Sequence, residues 1–229
     1  MSAEPHQPGE PSARERILQA ACDLIAERGI GGARIAQIAK AAGVSTALVH
    51  YHFRTREVLL AETLDYAFDV AAAVRLRATV DNGESAADGS AARRLADVVE
   101  QSLPTTDPGR REWQLWAELW LGAARDPSLR PIAAQMYTRY RTWIATAVAE
   151  GVAAGEFARV DPAETADLAM ALIDGLGLRV LLGDPSMPLG KARERIGEIL
   201  ARELQISAGQ LPFAADGPAV PAHGRGRTG

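Results

Sequence analysis

The feature of this sequence that most constrains its fold is a tight turn between two short helical patterns in residues 35–53, IAQIAKAAGVSTALVHYHF. Apolar residues recur at helical spacing from Ile35 to Ala42, which predicts a short amphipathic helix. Gly43 follows where the chain must turn sharply, and glycine accepts a left-handed backbone without steric cost. Ser45 is a suitable N-cap for a second helix over Thr46 to Tyr51.

Two short helices joined by a three- or four-residue turn that contains glycine are typical of a helix-turn-helix. In that motif the second helix enters the major groove of DNA. Here it would present Thr46, Ala47 and His50 to the edges of the bases. The alternative is a helical hairpin inside an all-α core, because short patterns of this kind also occur without DNA binding.

The surrounding sequence resembles the DNA-binding domain of the TetR (tetracycline-repressor) family of bacterial regulators. The matching elements are R-x-x-I-L-x-A-A at 14–21, Gly29, I-A at 38–39, G-V-S at 43–45 and Y-H-F-x-x-R-E-x-L-L at 51–60. The resemblance implies a three-helix DNA-binding head. We expect base-edge contacts from the second helix of the motif and backbone contacts from its flanks, which gives the candidate set Arg34, Ser45, Thr46, Ala47, His50, Tyr51, His52 and Arg56.

Three positions depart from the family pattern. Most members carry Thr or Ser at the position of Arg34, where the hydroxyl caps the second helix, and an arginine cannot cap in that way. Most members also have Tyr where this chain has His50, and a basic or polar residue where it has Ala36. The operator sequence therefore cannot be taken from a relative.

The distribution of charge distinguishes the motif from the rest of the chain. The formal net charge is −4, yet residues 14–56 hold seven basic and three acidic residues, a local charge of +4. This asymmetry favours one end that faces phosphate. With 47% hydrophobic and 24% charged residues the composition is that of an ordinary globular protein. No alternating strand pattern occurs, so we expect an all-α fold.

Helical patterns and polar ends predict the domain organisation. We expect a disordered arm over residues 1–12, a helix-turn-helix domain over 13–58, a six-helix ligand-binding and dimerisation domain over 59–206 and a disordered tail over 207–229. In the family that the chain resembles, the last two long helices pair with those of a second subunit, which implies a homodimer. Gly175 and Gly177 would permit a close approach of helices there, unless they only fit packing within one chain.

The second domain concentrates aromatic residues. On a helical wheel, Trp113, Trp116 and Trp120 fall within a sector of about 60°. A helix with Tyr137 and Tyr140 follows. This region looks like the ligand domain of the choline/betaine-type repressors in the same family, a likeness that does not transfer a ligand. Trp and Tyr faces attract cations with about 0.5–2 kcal/mol per contact. The alternative for the tryptophans is plain core packing.

Asp174 is the candidate for a charged contact with a ligand. It lies beside Met170 on an apolar side of its helix, and an unpaired buried charge is costly. Either an arginine from another helix pairs with it, or a pocket receives a cationic ligand. The predicted ligand site comprises Trp113, Trp116, Trp120, Tyr137, Tyr140, Met170 and Asp174.

The sequence favours neither an enzyme nor a cofactor or metal site. Cys22 is the only cysteine, which fits a reducing compartment. The four histidines form no catalytic or metal-ligand pattern, and His50 and His52 do not share a helix face. Residues 1–13 lack the apolar segment of a signal peptide, and no run of 18 uncharged apolar residues occurs, so we expect a cytoplasmic protein with no membrane span.

Together these patterns predict a ligand-responsive transcriptional regulator without enzymatic activity. We expect a repressor that leaves a pseudo-palindromic, double-stranded DNA operator when a small molecule, hydrophobic and cationic, binds the second domain. The alternative is an architectural DNA-binding protein or an activator without a small-molecule effector.

Overall fold

The computed structural model describes residues 11–81, 89–211 and 213, except for the side chains of residues 71–81 and 208. Within these ranges the chain is helical, without a strand, which confirms the predicted all-α fold. The helices are α1 (Ala13–Gly32), α2 (Ile35–Ala41), α3 (Thr46–His52), α4 (Arg56–Asp81), α5 (Ala91–Gln101), α6 (Asp107–Arg125), α7 (Arg130–Ala153), α8 (Pro162–Leu181) and α9 (Leu189–Glu203). Residues 1–10 of the predicted arm lie outside the described residues.

The first helix begins with a reciprocal cap and contains a bend. The Ser12 hydroxyl accepts from the Glu15 N–H, and the Glu15 carboxylate accepts from the Ser12 N–H at 2.7 Å. The sequence predicts that the glycine-rich residues 29–32 end this helix. The helix does end at Gly32, but the chain already bends at Gly29, with φ 73°, and makes one more turn before α2 begins.

The helix-turn-helix forms as its local residues predict. Gly43 has φ 66° in the turn, and the Ser45 hydroxyl accepts from the Leu48 N–H at 3.1 Å. Val49 is fully buried and Phe53 is 1% exposed. These two side chains hold α3 against α1 and α2, so the helix keeps a fixed orientation. We call α1–α3 the head.

A charged and aromatic contact fastens α4 to α7. The Arg139 guanidinium donates to Asp65 at 2.8 Å and to Asp69 at 2.6 Å. It also lies 3.9 Å from the centroid of the Phe68 ring, a distance that gives a cation–π attraction. Since α4 leads directly out of the head, this contact joins the head to the second domain.

The two glycines of α8 face different surroundings. A Cβ at Gly177 would lie 2.5 Å from the ring of Trp113, so this glycine permits packing within the chain. A Cβ at Gly175 would meet open space. Gly175 belongs instead to an outer stripe of α8 that also exposes Ala171, Leu178 and Leu182, the last at 74%.

The start of the predicted disordered tail is folded. Residues 208–210 form a 3₁₀ turn, and Leu211 is 4% exposed. Gly197 of α9 leaves room for the Phe213 ring, which would lie 2.7 Å from a Cβ there. The apolar side chains of Leu211 and Phe213 thus pack at the beginning of this segment, where Phe213 meets α9. Residue 212 and residues 214–229 lie outside the described residues.

Substitution of the α8 glycines tests this packing. Gly177→Ala should lower the free energy of unfolding by about 1–3 kcal/mol, because overpacking forces the Trp113 ring to move. Gly175→Ala, the matched control, meets no atom of its own chain and should raise the free energy of unfolding of a single subunit by about 0.5–1 kcal/mol through helix propensity. Urea unfolding over a range of protein concentrations measures both. Equal effects would contradict the contact between Gly177 and Trp113, and a loss for Gly175→Ala that depends on protein concentration would place Gly175 in a subunit interface.

Candidate functional site

The first candidate site is the outer face of α3. Its side chains are exposed except for the inward Val49 and the partly buried Leu48 and His52. Tyr51 is 80% exposed, which is unusual for so large a ring. The structure therefore brings Thr46, Ala47, His50 and Tyr51 together on one exposed surface, with Ser45 exposed at the start of the helix. The sixth predicted contact of this segment, His52, lies on the partly buried side at the end of the helix.

The two predicted arginine contacts lie apart from that cluster. Arg34 is exposed at the start of α2 and forms no side-chain cap, as its chemistry requires. Arg56 begins α4, and its guanidinium donates to the Ile30 carbonyl in the last turn of α1. In this structure Arg56 therefore stabilises the end of α1, a role that the sequence did not indicate.

The second candidate site is an aromatic cavity between α5, α6, α7 and α8. All seven residues of the predicted ligand site line it, together with two that the sequence did not indicate, Ser102 and Ile173. The Ser102 carbonyl accepts from the Trp113 indole at 3.0 Å, and such a backbone contact leaves no signal in the sequence. We call this space the aromatic cavity.

The aromatic cavity is narrow because its own rings fill most of it. Its volume is about 20 Å³, which is enough for roughly one water molecule. The centroids of Trp116 and Tyr140 are 5.6 Å apart, and the rings of Trp120 and Tyr137 stack at 6.3 Å. The tryptophans thus serve as core in this conformation, and a ligand must separate these rings in order to enter.

Asp174 meets a hydroxyl rather than a cation. Its carboxylate accepts from the Tyr137 hydroxyl at 3.0 Å. Among the described residues no lysine, arginine or histidine forms an ion pair with it, and the nearby Arg179 pairs with Asp184 at 2.8 Å. Of the two alternatives for Asp174, pairing with an arginine from another helix is thus not found among the described side chains. Tyr137 can take its place because a tyrosine that spans two helices supplies a donor at lower desolvation cost than a charge.

Burial shifts the pKa values of this pair upwards. Desolvation raises the pKa of Asp174, and the hydrogen bond from Tyr137 only partly opposes the rise. The pKa of Tyr137 is also raised, by burial and by the adjacent carboxylate. The indole N–H of Trp120 is close enough to oppose that rise, yet it meets no acceptor in hydrogen-bond geometry among the described residues.

A second carboxylate supports the other cavity tyrosine. The Tyr140 hydroxyl donates to Glu112 of α6, which is only 4% exposed. Glu112 is not among the site residues that the sequence pattern indicates. The available signal was its place on the strongly apolar helix that carries the tryptophans, since a buried carboxylate needs a donor.

The described residues give little support to a metal site, a nucleophilic cysteine or a membrane span. No group of three His, Cys, Asp or Glu side chains is placed to hold a metal ion. Burial raises the pKa of Cys22 to about 12, and thiolates rather than thiols are the nucleophiles. None of the helices in the described ranges has the length and apolar character needed to cross a membrane.

The fold and the exposed face of α3 define a helix-turn-helix DNA-binding regulator with a separate helical domain. Residues 17–63 match the family described as bacterial regulatory proteins, tetR family. Residues 91–205 match the C-terminal domain of BetI-type transcriptional repressors. The chain therefore belongs to the TetR family of transcriptional regulators, and its second domain is of the BetI type.

Individual relatives agree with this family. The regulator BetI of Klebsiella pneumoniae is 31% identical over 186 residues, which cover 80% of this chain and 88% of the relative. A TetR-family regulator from a Rhodococcus species has 31% identity and a TM-score of 0.73, over 84% of this chain and 98% of its own. A transcriptional regulator from Saccharomonospora viridis, solved in complex with choline, has 32% identity and a TM-score of 0.67, over 84% and 97%.

The raised pKa of Asp174 predicts how stability depends on pH. For such a group, the contribution to stability is present below the unfolded pKa, about 3.9, and is lost as the pH rises through the folded pKa. Asp174→Asn stays neutral at every pH. It should therefore unfold at higher urea concentration than the unaltered protein at pH 7, and the difference should shrink as the pH falls towards 4.

The matched control is Asp167→Asn, because the hydrogen bond and charge of Arg141 lower the pKa of this exposed carboxylate. Its loss should destabilise the protein at pH 7, and that effect should fade as the pH falls. The same sign for both variants would contradict the raised pKa of Asp174.

Proposed function

We propose that this chain is a homodimeric, cytoplasmic transcriptional repressor, without enzymatic activity, that leaves its operator when a hydrophobic, positively charged small molecule binds the aromatic cavity. The ligand class rests on Asp174, a half-buried carboxylate that lines the aromatic cavity and has no ion-pair partner among the described residues. The proposed units are a DNA-binding domain over residues 13–58 and a ligand-binding and dimerisation domain over 59–206.

The proposed DNA surface combines base reading with a backbone grip. Thr46 and His50 lie one turn apart on the exposed face of α3, where they would meet base edges in the major groove. Ser45, Tyr51, His52 and Arg34 flank this face and would hold the phosphates. Arg56 would add charge near the backbone in addition to its contact with Ile30. A symmetric dimer requires two half-sites about 10 bp apart, or a multiple of that spacing.

The proposed ligand would replace contacts that the rings now make with each other. Separated faces of Trp116, Trp120 and Tyr137 could surround a cation, and each ring would contribute about 0.5–2 kcal/mol. Asp174 would neutralise the charge. The unsatisfied N–H of Trp120 would serve a ligand that also carries an oxygen atom. The choline complex of the Saccharomonospora viridis relative supports a ligand of this chemistry.

The proposed dimer would use the outer stripe of α8. Leu178 and Leu182 are exposed at 36% and 74%, and large apolar side chains in a row favour burial against a partner. Ala171 and Gly175 lie on the same stripe and would let a second helix approach closely.

Ligand binding and DNA binding would oppose each other in this mechanism, because each weakens the other by the same factor.

One link from the aromatic cavity to the head passes through α4. The Phe68 ring of α4 meets the Tyr140 ring edge-on with the centroids 5.0 Å apart. A ligand that moves Tyr140 would therefore tilt α4, and with it the spacing between the two α3 helices of a dimer. Arg139 would transmit the same motion through Asp65 and Asp69.

The DNA surface can be tested by separating preference from overall affinity. His50→Ala should cost about 1–3 kcal/mol on the selected operator and relax the base preference, because it removes a base contact. Arg34→Ala should weaken all sequences alike and reduce the slope of log affinity against log salt by about 0.9 for each subunit, or about 1.8 for the dimer. Binding to a randomised DNA library at several salt concentrations measures both effects. If neither variant alters sequence preference, the assignment of the reading face is wrong.

The ligand class can be tested with choline and its neutral isostere 3,3-dimethylbutan-1-ol. Three of the four tryptophans line the aromatic cavity, so quenching of tryptophan fluorescence reports binding. Choline should bind at least tenfold tighter, and Asp174→Asn should remove that preference through loss of the charge. Choline affinity should also fall as the pH drops through the raised pKa of Asp174. Tighter binding of the neutral compound would contradict the proposal of a cationic ligand but would not affect the proposal that the protein is a transcriptional regulator.

A further inference from the structure

Helix α6 lies directly between the aromatic cavity and the head. Three of its tryptophans line the cavity. At 100° per residue, the positions that contact α1 fall on the opposite side of the same helix. Those positions are Arg111, Glu118 and Gly122. One helix therefore faces the proposed ligand with one side and the DNA-binding head with the other.

The contacts between α6 and α1 form two levels. Arg111 lies 3.5 Å from Asp23 in an exposed ion pair. Two turns further along both helices, the Glu118 carboxylate accepts from the backbone N–H of Ile30 at 3.3 Å. The two helices thus run parallel and in register. Exposed ion pairs contribute little to stability, so the contact at Glu118 is the more important of the two for holding α6 against α1.

Glu118 meets α1 at its bend. A Cβ at Gly29 would lie 2.5 Å from the Glu118 carboxylate, so the absence of a side chain at Gly29 allows this approach. The carbonyl of the next residue, Ile30, accepts from Arg56 at the start of α4. The Ile30 residue is therefore held on both sides, by α6 through its N–H and by α4 through its carbonyl. The chain continues from here into α2.

We infer that Glu118 is a positioning residue that sets the orientation of the helix-turn-helix and transmits movement of α6 to it. The inference rests on the proposed function and adds a route that does not pass through α4. Because the aromatic cavity holds only about 20 Å³, a ligand must displace Trp116 and Trp120. The helix that carries them then moves towards α1, where Glu118 applies the displacement to the bend before α2.

The test compares two variants of Glu118 with one control in the full-length protein. Glu118→Ala removes the acceptor for the Ile30 N–H, and Glu118→Gln keeps a weaker, uncharged acceptor. The control is Gln114→Ala, an exposed polar position on the same helix. Three quantities are measured: amide hydrogen exchange of residues 29–34, operator Kd with and without saturating choline, and choline Kd from tryptophan quenching.

We expect a graded response, largest for Glu118→Ala and intermediate for Glu118→Gln. Exchange of residues 29–34 should accelerate, and operator affinity without choline should fall about threefold to tenfold. The factor by which choline weakens operator binding should fall by a similar amount. Choline Kd should stay within about twofold in the absence of DNA, since Glu118 does not line the aromatic cavity. The control should match the unaltered protein in all three.

The outcomes separate this inference from the proposed function. If both Glu118 variants keep the exchange rates and operator affinity of the unaltered protein, or keep its full response to choline, Glu118 does not position the head. If Glu118→Ala does not fold, the comparison of Glu118→Gln with the unaltered protein decides whether Glu118 positions the head. If choline fails to weaken operator binding by the unaltered protein, the proposed ligand is wrong, and exchange and ligand-free affinity still decide on Glu118.

Discussion

The arrangement of the second domain depends on two carboxylates that hold the tyrosines of α7. Asp174 accepts from Tyr137 and ties α7 to α8, while Glu112 accepts from Tyr140 and ties α7 to α6. Each contact costs desolvation that apolar side chains of similar size would avoid. A domain built for stability alone has no need of this cost, which is consistent with the ligand site proposed here. The same two contacts turn the ring faces towards one shared space.

Much of the head could be predicted because its signals are local. Gly43 and Ser45 determine a turn and a cap through their own backbone and hydroxyl, and both contacts formed as expected. The glycine-rich residues 29–32 predict the end of α1, and the helix ends at Gly32, but the sequence does not show that Gly29 is a bend with a further turn after it. A left-handed residue is compatible with a bend or an end, and Glu118, 89 residues away, approaches α1 at this bend.

The second domain could be predicted less completely because its contacts join distant helices. The sequence identified seven residues around the aromatic cavity, since aromatic residues at helical spacing are visible in one dimension. It could not identify Tyr137 as the partner of Asp174, because the register of α7 against α8 is set by packing. Glu112 was missed for the same reason. The size of the cavity also depends on how the rings of α6 and α7 interlock, and no pattern in the sequence determines that arrangement.

The closed packing of the aromatic rings has a consequence for how such a regulator can evolve. If the rings must separate before a ligand can bind, as proposed above, the observed ligand affinity is the intrinsic affinity scaled by the population of molecules with separated rings. Any substitution that loosens the packing of α6 against α7 enlarges the population without contacting the ligand. Sensitivity to an effector can therefore drift through mutations in the surrounding core, while the residues that determine which compound is recognised remain unchanged.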